Sequence, residues 1–236
     1  MTTATYEQLA PYSHLSGIKL LEALFRHFTP ADVALLSAFN PEDVLLAAWL
    51  TDIAPATTIF FLNTHKHFPE TLRYVDAISK QLKLQNIVIL EPDNTLTQNI
   101  DATGDLWKTQ VNRCCWLRKV KPLETALRAG KFQAAITGRR KEQTPERTDM
   151  QSIEQDDNGM FKFNPLLDWS KQQRDDEMKR LHLPHHPLYD LGYPSIGCAP
   201  CTTPVFPGED ERAGRWRHTR KNDGDQKTEC GLHVSQ

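Results

Sequence analysis

Four of the five cysteines in this 236-residue chain fall into two pairs whose spacing suits metal binding. Cys114 and Cys115 are adjacent, and Cys198 and Cys201 form a Cys-x-x-Cys pair far downstream. Four soft sulfur ligands close a tetrahedral zinc site or anchor an iron-sulfur cluster. Paired zinc ligands are usually separated by about two to four residues. We therefore favour a cluster and keep zinc, or a metal-free group of buried thiols, as alternatives.

The fifth cysteine, Cys230, lies alone near the end of the sequence, two residues before Leu232 and three before His233. A lone thiol is often incidental, but a thiolate on a tail could swing over a site and withdraw. Such a thiolate needs cationic neighbours that lower its pKa from about 8.5, and His233 could supply one. Four paired thiols and one single thiol together predict a metal centre plus a reactive nucleophile.

Composition and charge exclude several classes of protein. Lys and Arg total 28 against 30 Asp and Glu, so no global basicity indicates a nucleic-acid partner. No basic segment followed by an apolar one opens the chain, and no apolar stretch is long enough to span a bilayer. We expect a cytoplasmic protein without nucleic-acid or membrane partners. Clustered cysteines in a reducing compartment usually bind metal or do chemistry.

The elements that must position these residues alternate between short apolar strands and helices. Apolar periodicity predicts helices over 16–28, 44–53, 69–82, 122–127 and 170–181. Runs of β-branched and aromatic residues predict strands over 33–36, 57–62, 86–90 and 132–137. This alternation indicates an α/β fold with a parallel sheet, and the polar stretch 141–159 is expected to be a loop. We divide the chain into an N-terminal helical segment (1–30), an α/β domain (31–205) and an irregular C-terminal arm (206–236) that carries Cys230.

Two groups of polar residues follow predicted strands, where open parallel sheets bind ligands. Ser37–Asp43 lies between a strand and a helix, where backbone N–H groups can hold a phosphate. Arg139 and Arg140 directly follow another strand, and the arm adds Arg212 and Arg215. Together these residues predict a site for a nucleotide-like anion.

Several longer motifs occur in the same chain. They read Cys-Cys-x-x-Arg-Lys at 114–119, Thr-Gly-Arg-Arg at 137–140, Gly-Tyr-x-Ser-Ile-Gly-Cys-x-Pro-Cys-Thr at 192–202, Gly-Arg-Trp at 214–216 and Glu-Cys-Gly-Leu-His at 229–233. Jointly they resemble the sulfonucleotide reductases, specifically the iron-sulfur branch of the assimilatory adenylyl-sulfate reductases, from about Leu36 to His233. Two loops differ from that family. Its Ser-Phe-Gly-Ala-Glu-Asp is Ala-Phe-Asn-Pro-Glu-Asp at 38–43, and its Leu-Asp-Thr-Gly is Leu-Asn-Thr-His at 62–65.

The resemblance implies a role for each matching residue and a single α/β domain of the adenine-nucleotide alpha-hydrolase (PP-loop-like) type. The implied ligands of one [4Fe–4S] cluster are Cys114, Cys115, Cys198 and Cys201. The implied substrate-binding residues are Ser37, Glu42, Asp43, Thr64, Lys119, Arg139, Arg140, Arg212 and Arg215, with Lys119 between cluster and substrate. Cys230 is the implied nucleophile.

The implied reaction is the reduction of adenylyl sulfate to sulfite and AMP through an S-sulfonate on Cys230, as in assimilatory sulfate reduction and cysteine biosynthesis. Because the other four thiols would bind the cluster, the reducing thiol must come from thioredoxin or glutaredoxin. The chain could also form a homo-oligomer. Two alternatives stay open: a reductase of 3'-phosphoadenylyl sulfate or of both nucleotides, and a non-catalytic zinc- or cluster-bound relative that binds nucleotides or senses redox state. A third, an ATP-cleaving enzyme of the same fold, would need a Ser-Gly-Gly-x-Asp-Ser loop, which Ser37–Asp43 is not.

Overall fold

A computed structural model describes residues 4–218, 227, 229 and 231–232, so Cys230 and His233 lie outside the described residues. The chain divides into two compact units. The first comprises Met1–Phe61, Val75–Val88 and Gly130–His185, and the second comprises Leu62–Tyr74, Ile89–Ala129 and His186–Gln236. The domain limits at residues 30 and 205 stay a prediction. In the part of the chain that is described, no helix has the length and apolar character needed to cross a bilayer.

The described elements alternate between strands and helices along most of the chain. Strands β1 to β6 are Val33–Ser37, Thr58–Leu62, Ile87–Leu90, Ala134–Thr137, Ile153–Gln155 and Phe161–Phe163. α-Helices α1 to α9 are Tyr6–Leu9, Gly17–Leu24, Pro41–Ile53, Pro69–Gln81, Asn94–Ile100, Leu106–Thr109, Val111–Cys115, Lys121–Gly130 and Lys171–Arg180. A π-helical turn, Trp116–Val120, follows α7 directly.

The six strands form one sheet in the order β3-β2-β1-β4-β6-β5. Strand β1 pairs in parallel with β2 and β4, and β4 pairs in parallel with β6. The predicted α/β fold with a mostly parallel sheet is therefore confirmed. One detail was wrong: the stretch 141–159 is not all loop, because it contains the edge strand β5, which runs antiparallel to β6. Strands of three residues, like β5 and β6, are too short to show a periodicity.

Helix α3 places two acidic residues at the end of β1. Asn40 caps the helix and Pro41 occupies its first turn. The Asp43 side chain accepts the backbone N–H of Asn40, as in a capping box. From Val44 to Leu50 every side chain is buried, so the helix is apolar all round and lies inside the first unit. The two acidic residues of its first turn, Glu42 and Asp43, are buried as well.

The second unit holds its cysteine-bearing segment with short helices. Leu106 of α6, Cys114 of α7 and Leu117 of the π-helical turn form a small buried cluster, and the indole rings of Trp107 and Trp116 pack against it. These helices have seven residues or fewer, which is too short for stability on their own. Tertiary packing must therefore fix the position of the tandem cysteines.

Candidate functional site

The four paired cysteines come together in the second unit. Cys201 interacts electrostatically with Cys198, Cys115 and Cys114, and Cys114 also interacts with Cys198. All four are free thiols; Cys198 is half-buried and the other three are buried. Residues more than 80 positions apart in sequence thus form one group of sulfurs. Their role as metal ligands stays a prediction.

Burial and the neighbouring thiols favour the protonated forms of Cys114 and Cys201 when no metal is bound. Burial raises the pKa of Cys114 to about 11, and the neighbouring Cys115 adds to the effect. Burial likewise raises the pKa of Cys201 to about 12, with Cys198 and Cys115 contributing and Lys119 opposing. Protonated thiols are poor nucleophiles, whereas a bound metal ion deprotonates its thiol ligands. The environment therefore suits ligands better than it suits a catalytic nucleophile.

As a set of donors, these residues fit an iron-sulfur cluster. Four soft sulfurs are grouped in a largely buried place, with the cations Arg118 and Lys119 beside them to offset the negative charge of thiolates. Among the residues that the structure describes, no group of three or more His, Cys, Asp and Glu side chains is arranged to hold a single metal ion.

The tandem cysteines lie where the helix changes its type. Cys114 and Cys115 end α7, and the next five residues form the π-helical turn that ends at Val120. π-Helical turns are rare and often lie at functional sites. Arg118 and Lys119 both belong to this turn, so the turn carries the two cations of the thiol site.

A chain of buried polar contacts connects the π-helical turn to Cys198. The Arg118 guanidinium donates to Asp101 Oδ2 at 2.7 Å and to the Thr64 carbonyl at 3.2 Å. The Thr64 hydroxyl lies 3.2 Å from Cys198 Sγ, and Thr64 is fully buried. Burial would raise the pKa of Asp101, but hydrogen bonds from Arg118 and the Leu106 N–H outweigh it and hold the pKa below its ordinary value. Thr64, predicted to bind substrate, therefore contacts a cysteine.

The loop after β2 is stabilised by two contacts with Glu91. His65 has a φ of +57°, which lies in the left-handed region. The family that the chain resembles has glycine at this position. Its imidazole Nε2 lies 3.0 Å from Glu91, which also accepts a hydrogen bond from the Asn63 side chain at 2.8 Å. Two contacts with Glu91 thus hold a backbone conformation that histidine rarely adopts. These two contacts come from the positions where the chain departs from the family's motif.

Arg215 of the arm lies against the loop that carries Cys198 and Cys201. Arg215 pairs with Thr202 in an antiparallel bridge, and its guanidinium occupies the space that a side chain at Gly197 would need. The guanidiniums of Arg215 and Arg212 lie 4.6 and 5.9 Å from the centre of the Trp216 ring. Both predicted substrate-binding arginines are thus held by cation–π contacts with one indole.

The described residues nearest Cys230 in sequence contact the same unit. Lys227 Nζ lies 2.5 Å from the Asn112 side-chain oxygen, two residues before Cys114. The Glu229 carboxylate lies 3.8 Å from the Arg212 guanidinium. Both contacts belong to the second unit, which also contains the four paired thiols. The predicted nucleophile, Cys230, lies outside the described residues.

In the first unit, Arg139 is held by a polar network at the end of β4. Its Nη2 donates to Glu154 Oε2 at 2.7 Å and to Asn164 Oδ1 at 3.0 Å, and its Nε donates to the Thr137 hydroxyl at 3.0 Å. Glu154 belongs to β5, the strand that the sequence did not reveal. The short antiparallel edge therefore supplies the counterion of a predicted anion-binding residue.

Arg140 shares its carboxylate partner with a residue that the sequence analysis missed. Glu42 Oε1 accepts a hydrogen bond from Arg140 Nε at 2.8 Å and another from Arg174 Nη1 at 2.6 Å. Burial would raise the pKa of Glu42, but Arg174 and Arg140 outweigh it and lower that pKa. Arg174 lies in the highly charged helix α9, which looks solvent-exposed in sequence. The one feature of the sequence that indicates burial of Arg174 is its spacing of four residues from Met178, which is also buried.

Ser37 and Asp43 form hydrogen bonds within their own loop. Asp43 Oδ2 accepts the backbone N–H of Ala38 at 2.7 Å, and Ser37 Oγ accepts that of Phe39 at 3.1 Å. Burial raises the pKa of Asp43 to about 7, although the Ala38 N–H acts against it. A Cβ at Gly138 would lie 2.5 Å from Asp43 Oδ1, so a glycine lets the end of β4 approach the start of α3.

The predicted site residues therefore fall into two groups, each within its own unit. Ser37, Glu42, Asp43, Arg139 and Arg140 lie in the first unit, where Glu42 and Arg140 form a direct ion pair. The second-unit group consists of Thr64, Lys119, Arg212, Arg215 and the four paired cysteines. The first group contains buried guanidiniums and the second contains four thiols with cations near them, and the roles of both groups stay predictions.

Comparisons with known proteins show which family the chain belongs to. The family described as "Phosphoadenosine phosphosulfate reductase domain" matches residues 32–204. A Mesorhizobium japonicum protein named adenosine 5'-phosphosulfate reductase is 37% identical over 96% of this chain and 85% of its own length. A Gloeobacter violaceus protein named phosphoadenosine 5'-phosphosulfate reductase is 40% identical, covering 86% and 82%. The crystal structure of a Candida auris phosphoadenylyl-sulfate reductase has the same fold, with a TM-score of 0.73 at 24% identity over 86% of this chain and 99% of that one.

Proposed function

The chain belongs to the phosphoadenosine phosphosulfate reductase family, and from this premise we propose that it reduces adenylyl sulfate to sulfite and AMP. The observation that carries the proposal is the group of four thiols beside Lys119 in one unit. The Mesorhizobium japonicum relative, whose name specifies adenosine 5'-phosphosulfate, supports the choice of nucleotide. The buried arginines Arg139 and Arg140 at the end of β4 support the binding of an anion.

The first step of the proposed reaction is a transfer of the sulfonate group to Cys230. The thiolate attacks the sulfur atom of adenylyl sulfate, an S–S bond forms, and the bond from sulfur to the bridging oxygen breaks. AMP leaves with the electron pair of that bond, so no strong general acid is needed. Arg139, Arg140, Arg212 and Arg215 would offset the negative charges that otherwise repel the thiolate.

The second step releases sulfite and consumes two electrons. A thiolate of thioredoxin, or of glutaredoxin, attacks the Cys230 sulfur, and sulfite leaves with the electron pair of the S–S bond. The second thiol of the reductant then displaces Cys230 and closes a disulfide on the reductant. Because the chain's other thiols would be bound, the reductant must be a separate molecule. A cytoplasmic location, where thiols stay reduced, belongs to the same proposal.

Cys114, Cys115, Cys198 and Cys201 would hold a [4Fe–4S] cluster. When bound, such a cluster would supply an electrostatic influence close to the substrate, since thiols already provide both electrons. Lys119, which interacts with Cys201, would then lie between the sulfur ligands and the substrate anion. Thr64 would hold the loop of Cys198 through its 3.2 Å contact with the sulfur atom.

A second candidate is the same reaction on 3'-phosphoadenylyl sulfate. The name of the Gloeobacter violaceus relative favours it. The two candidates differ by one phosphate, so turnover of both nucleotides with thioredoxin decides between them. A higher kcat/KM for the 3'-phosphorylated nucleotide would reverse our choice.

Intact-mass measurement of anaerobically purified protein tests the proposal. Incubation with adenylyl sulfate and no reductant should add the mass of one sulfonate group, and added thioredoxin should remove it with release of sulfite. Cys230→Ser should abolish the mass gain and leave the iron content unchanged. Cys201→Ser should lower the iron content and keep Cys230 available. A wild-type protein that contains iron but never gains the sulfonate would contradict the proposed reaction.

A further inference from the structure

Arg174 has no role in the motifs of the sequence, yet it contacts the carboxylate that holds a predicted anion-binding arginine. We propose that Arg174 is a positioning residue, which holds Glu42 so that Arg140 keeps its orientation and its positive charge towards the substrate anion. This inference rests on the proposed function, because the anion is taken to be the sulfonucleotide. It adds a residue from α9 to a site otherwise formed by the strand ends and α3.

The geometry is a carboxylate oxygen shared between two guanidiniums. Arg140 Nε and Arg174 Nη1 both donate to Glu42 Oε1, at 2.8 and 2.6 Å. Their side chains are 1% exposed, and that of Glu42 is 4% exposed. Water therefore screens these charges little. Glu142 and Asp175 also pair with Arg140 and Arg174, so the group has no surplus positive charge, and its carboxylates act on Arg140 by fixing the orientation of its guanidinium.

Arg174 limits how strongly Glu42 can neutralise Arg140. If Arg174 were absent, the carboxylate could turn both oxygens to Arg140 and form a bidentate pair. The Arg140 guanidinium would then turn away from the orientation that Glu42 and Glu142 give it together. Arg174 prevents this rearrangement because it binds the shared oxygen itself. Asp175 in turn holds the other side of Arg174, with bonds of 2.8 and 2.6 Å to its Nε and Nη2.

The start of α9 connects to the same arginine by a second route. Glu142 Oε2 accepts Arg140 Nη1 at 2.8 Å and also the backbone N–H of Lys171, the first residue of α9, at 3.0 Å. Two carboxylates thus fix Arg140, and α9 contacts both of them. Substitution of Arg174 should therefore displace the Arg140 side chain even where α9 stays folded.

Substrate affinity and stability must be measured together to separate positioning from a structural role. The first variant, Arg174→Met, removes the charge. The second, Arg174→Lys, keeps the charge but has a single donor nitrogen in place of the guanidinium. Arg180→Met is the matched control on the same helix, since Arg180 is exposed and pairs with Glu177. Met178→Ala is the control for lost stability, because Met178 is fully buried on α9 and does not belong to the ion pairs described. Calorimetry gives the Kd of adenylyl sulfate, steady-state assays give kcat and KM, and thermal unfolding gives Tm.

We expect Arg174→Met to raise the Kd and KM at least about fivefold, with kcat changed less than about twofold. Arg174→Lys should restore part of the affinity, and Arg180→Met should bind like wild type. Met178→Ala should lower Tm and leave Kd unchanged. In a Glu42→Gln background, Arg174→Met should have a much smaller effect on Kd, because its action passes through Glu42.

Three results would overturn the inference: wild-type Kd in Arg174→Met, an equal loss of affinity in Met178→Ala, or an undiminished effect in the Glu42→Gln background. If Arg174→Met does not fold, wild-type Kd in Arg174→Lys is the result that overturns it. Failure of the proposed function looks different. In that case the wild-type protein itself would not bind adenylyl sulfate, whatever residue stands at position 174.

Discussion

The two units hold their buried charges in different ways. In the first, Glu42 is shared between two guanidiniums, those of Arg140 and Arg174, and each of these has a second carboxylate partner. In the second, Asp101 has one guanidinium partner, Arg118, and a hydrogen bond from the Leu106 N–H. The second pair is balanced, and its side chains are 1% and 6% exposed. A carboxylate shared between two guanidiniums keeps one partner when the other is lost, whereas the single pair in the second unit has no such reserve.

The elements around these pairs differ in the same way. The arginine site stands on regular strands and on a helix of thirteen residues. The thiol site stands on helices of four and five residues, a π-helical turn and loops. Helices this short are not stable in isolation, so buried polar contacts must contribute more to the stability of the second unit. Loss of one such contact should therefore cost more there than in the first unit.

The largest expected effect tests this difference directly. Arg118→Met would leave the Asp101 carboxylate buried without a cation, and we expect a loss of about 3–5 kcal/mol in the free energy of unfolding. Arg174→Met leaves Glu42 with Arg140, so the expected loss is smaller, about 1–3 kcal/mol. Urea unfolding measures both. Lys108→Met, which breaks an exposed pair with Asp105, is the control and should cost less than about 0.5 kcal/mol. A larger loss for Arg174→Met than for Arg118→Met would reverse the comparison.

A second, smaller effect concerns two glycines of the thiol site. A Cβ at Gly214 would overlap with the Thr203 carbonyl, which is backbone and cannot rotate away. Gly214→Ala should cost about 1–3 kcal/mol in urea unfolding. A Cβ at Gly197 would overlap only with the mobile end of Arg215, so Gly197→Ala should cost less stability and should instead weaken binding of the nucleotide. Equal losses of stability in the two variants would show that the Arg215 guanidinium is as rigid as the backbone.

A third effect is a difference in pH dependence between the units. Burial raises the pKa of Asp43 to about 7, so the folded state keeps a proton that the unfolded chain releases above 3.8. The free energy of unfolding should therefore fall as pH rises from about 4 to 7. Burial lowers the pKa of His186 to about 4, so the unfolded chain binds a proton below 6.5 that the folded state does not. This contribution to stability is lost as pH falls from about 6.5 to 4.

Urea unfolding over this pH range separates the two contributions. Asp43→Asn should remove the decline with rising pH, and His186→Gln should remove the decline with falling pH. Asp76→Asn, on the exposed surface of α4, serves as the control and should leave the profile unchanged. If the two variants shift the profile in the same direction, one of the two assigned causes is wrong.

The sequence predicted the regular parts of the fold well because burial leaves a local pattern. The apolar runs at β1 and β2 are properties of neighbouring residues. Short elements without such a pattern escaped, among them β5, which supplies the Glu154 partner of Arg139. The π-helical turn after Cys115 also has no sequence signal, since it depends on how α7 and α8 are held.

By itself, the sequence determined the kinds of groups that are present: two pairs of sulfur ligands, a lone thiol, and arginines after strands. It could do so because residue type and spacing fix donor chemistry and local periodicity. Tertiary structure alone decided which charges are buried and with whom they pair. Glu42 and Arg174 stand 132 positions apart, and nothing in the charged sequence of α9 distinguishes Arg174 from its exposed neighbours except the nearby Met178. An ion pair in the interior is a property of two distant segments that exclude water together, and only the folded chain brings those segments into contact.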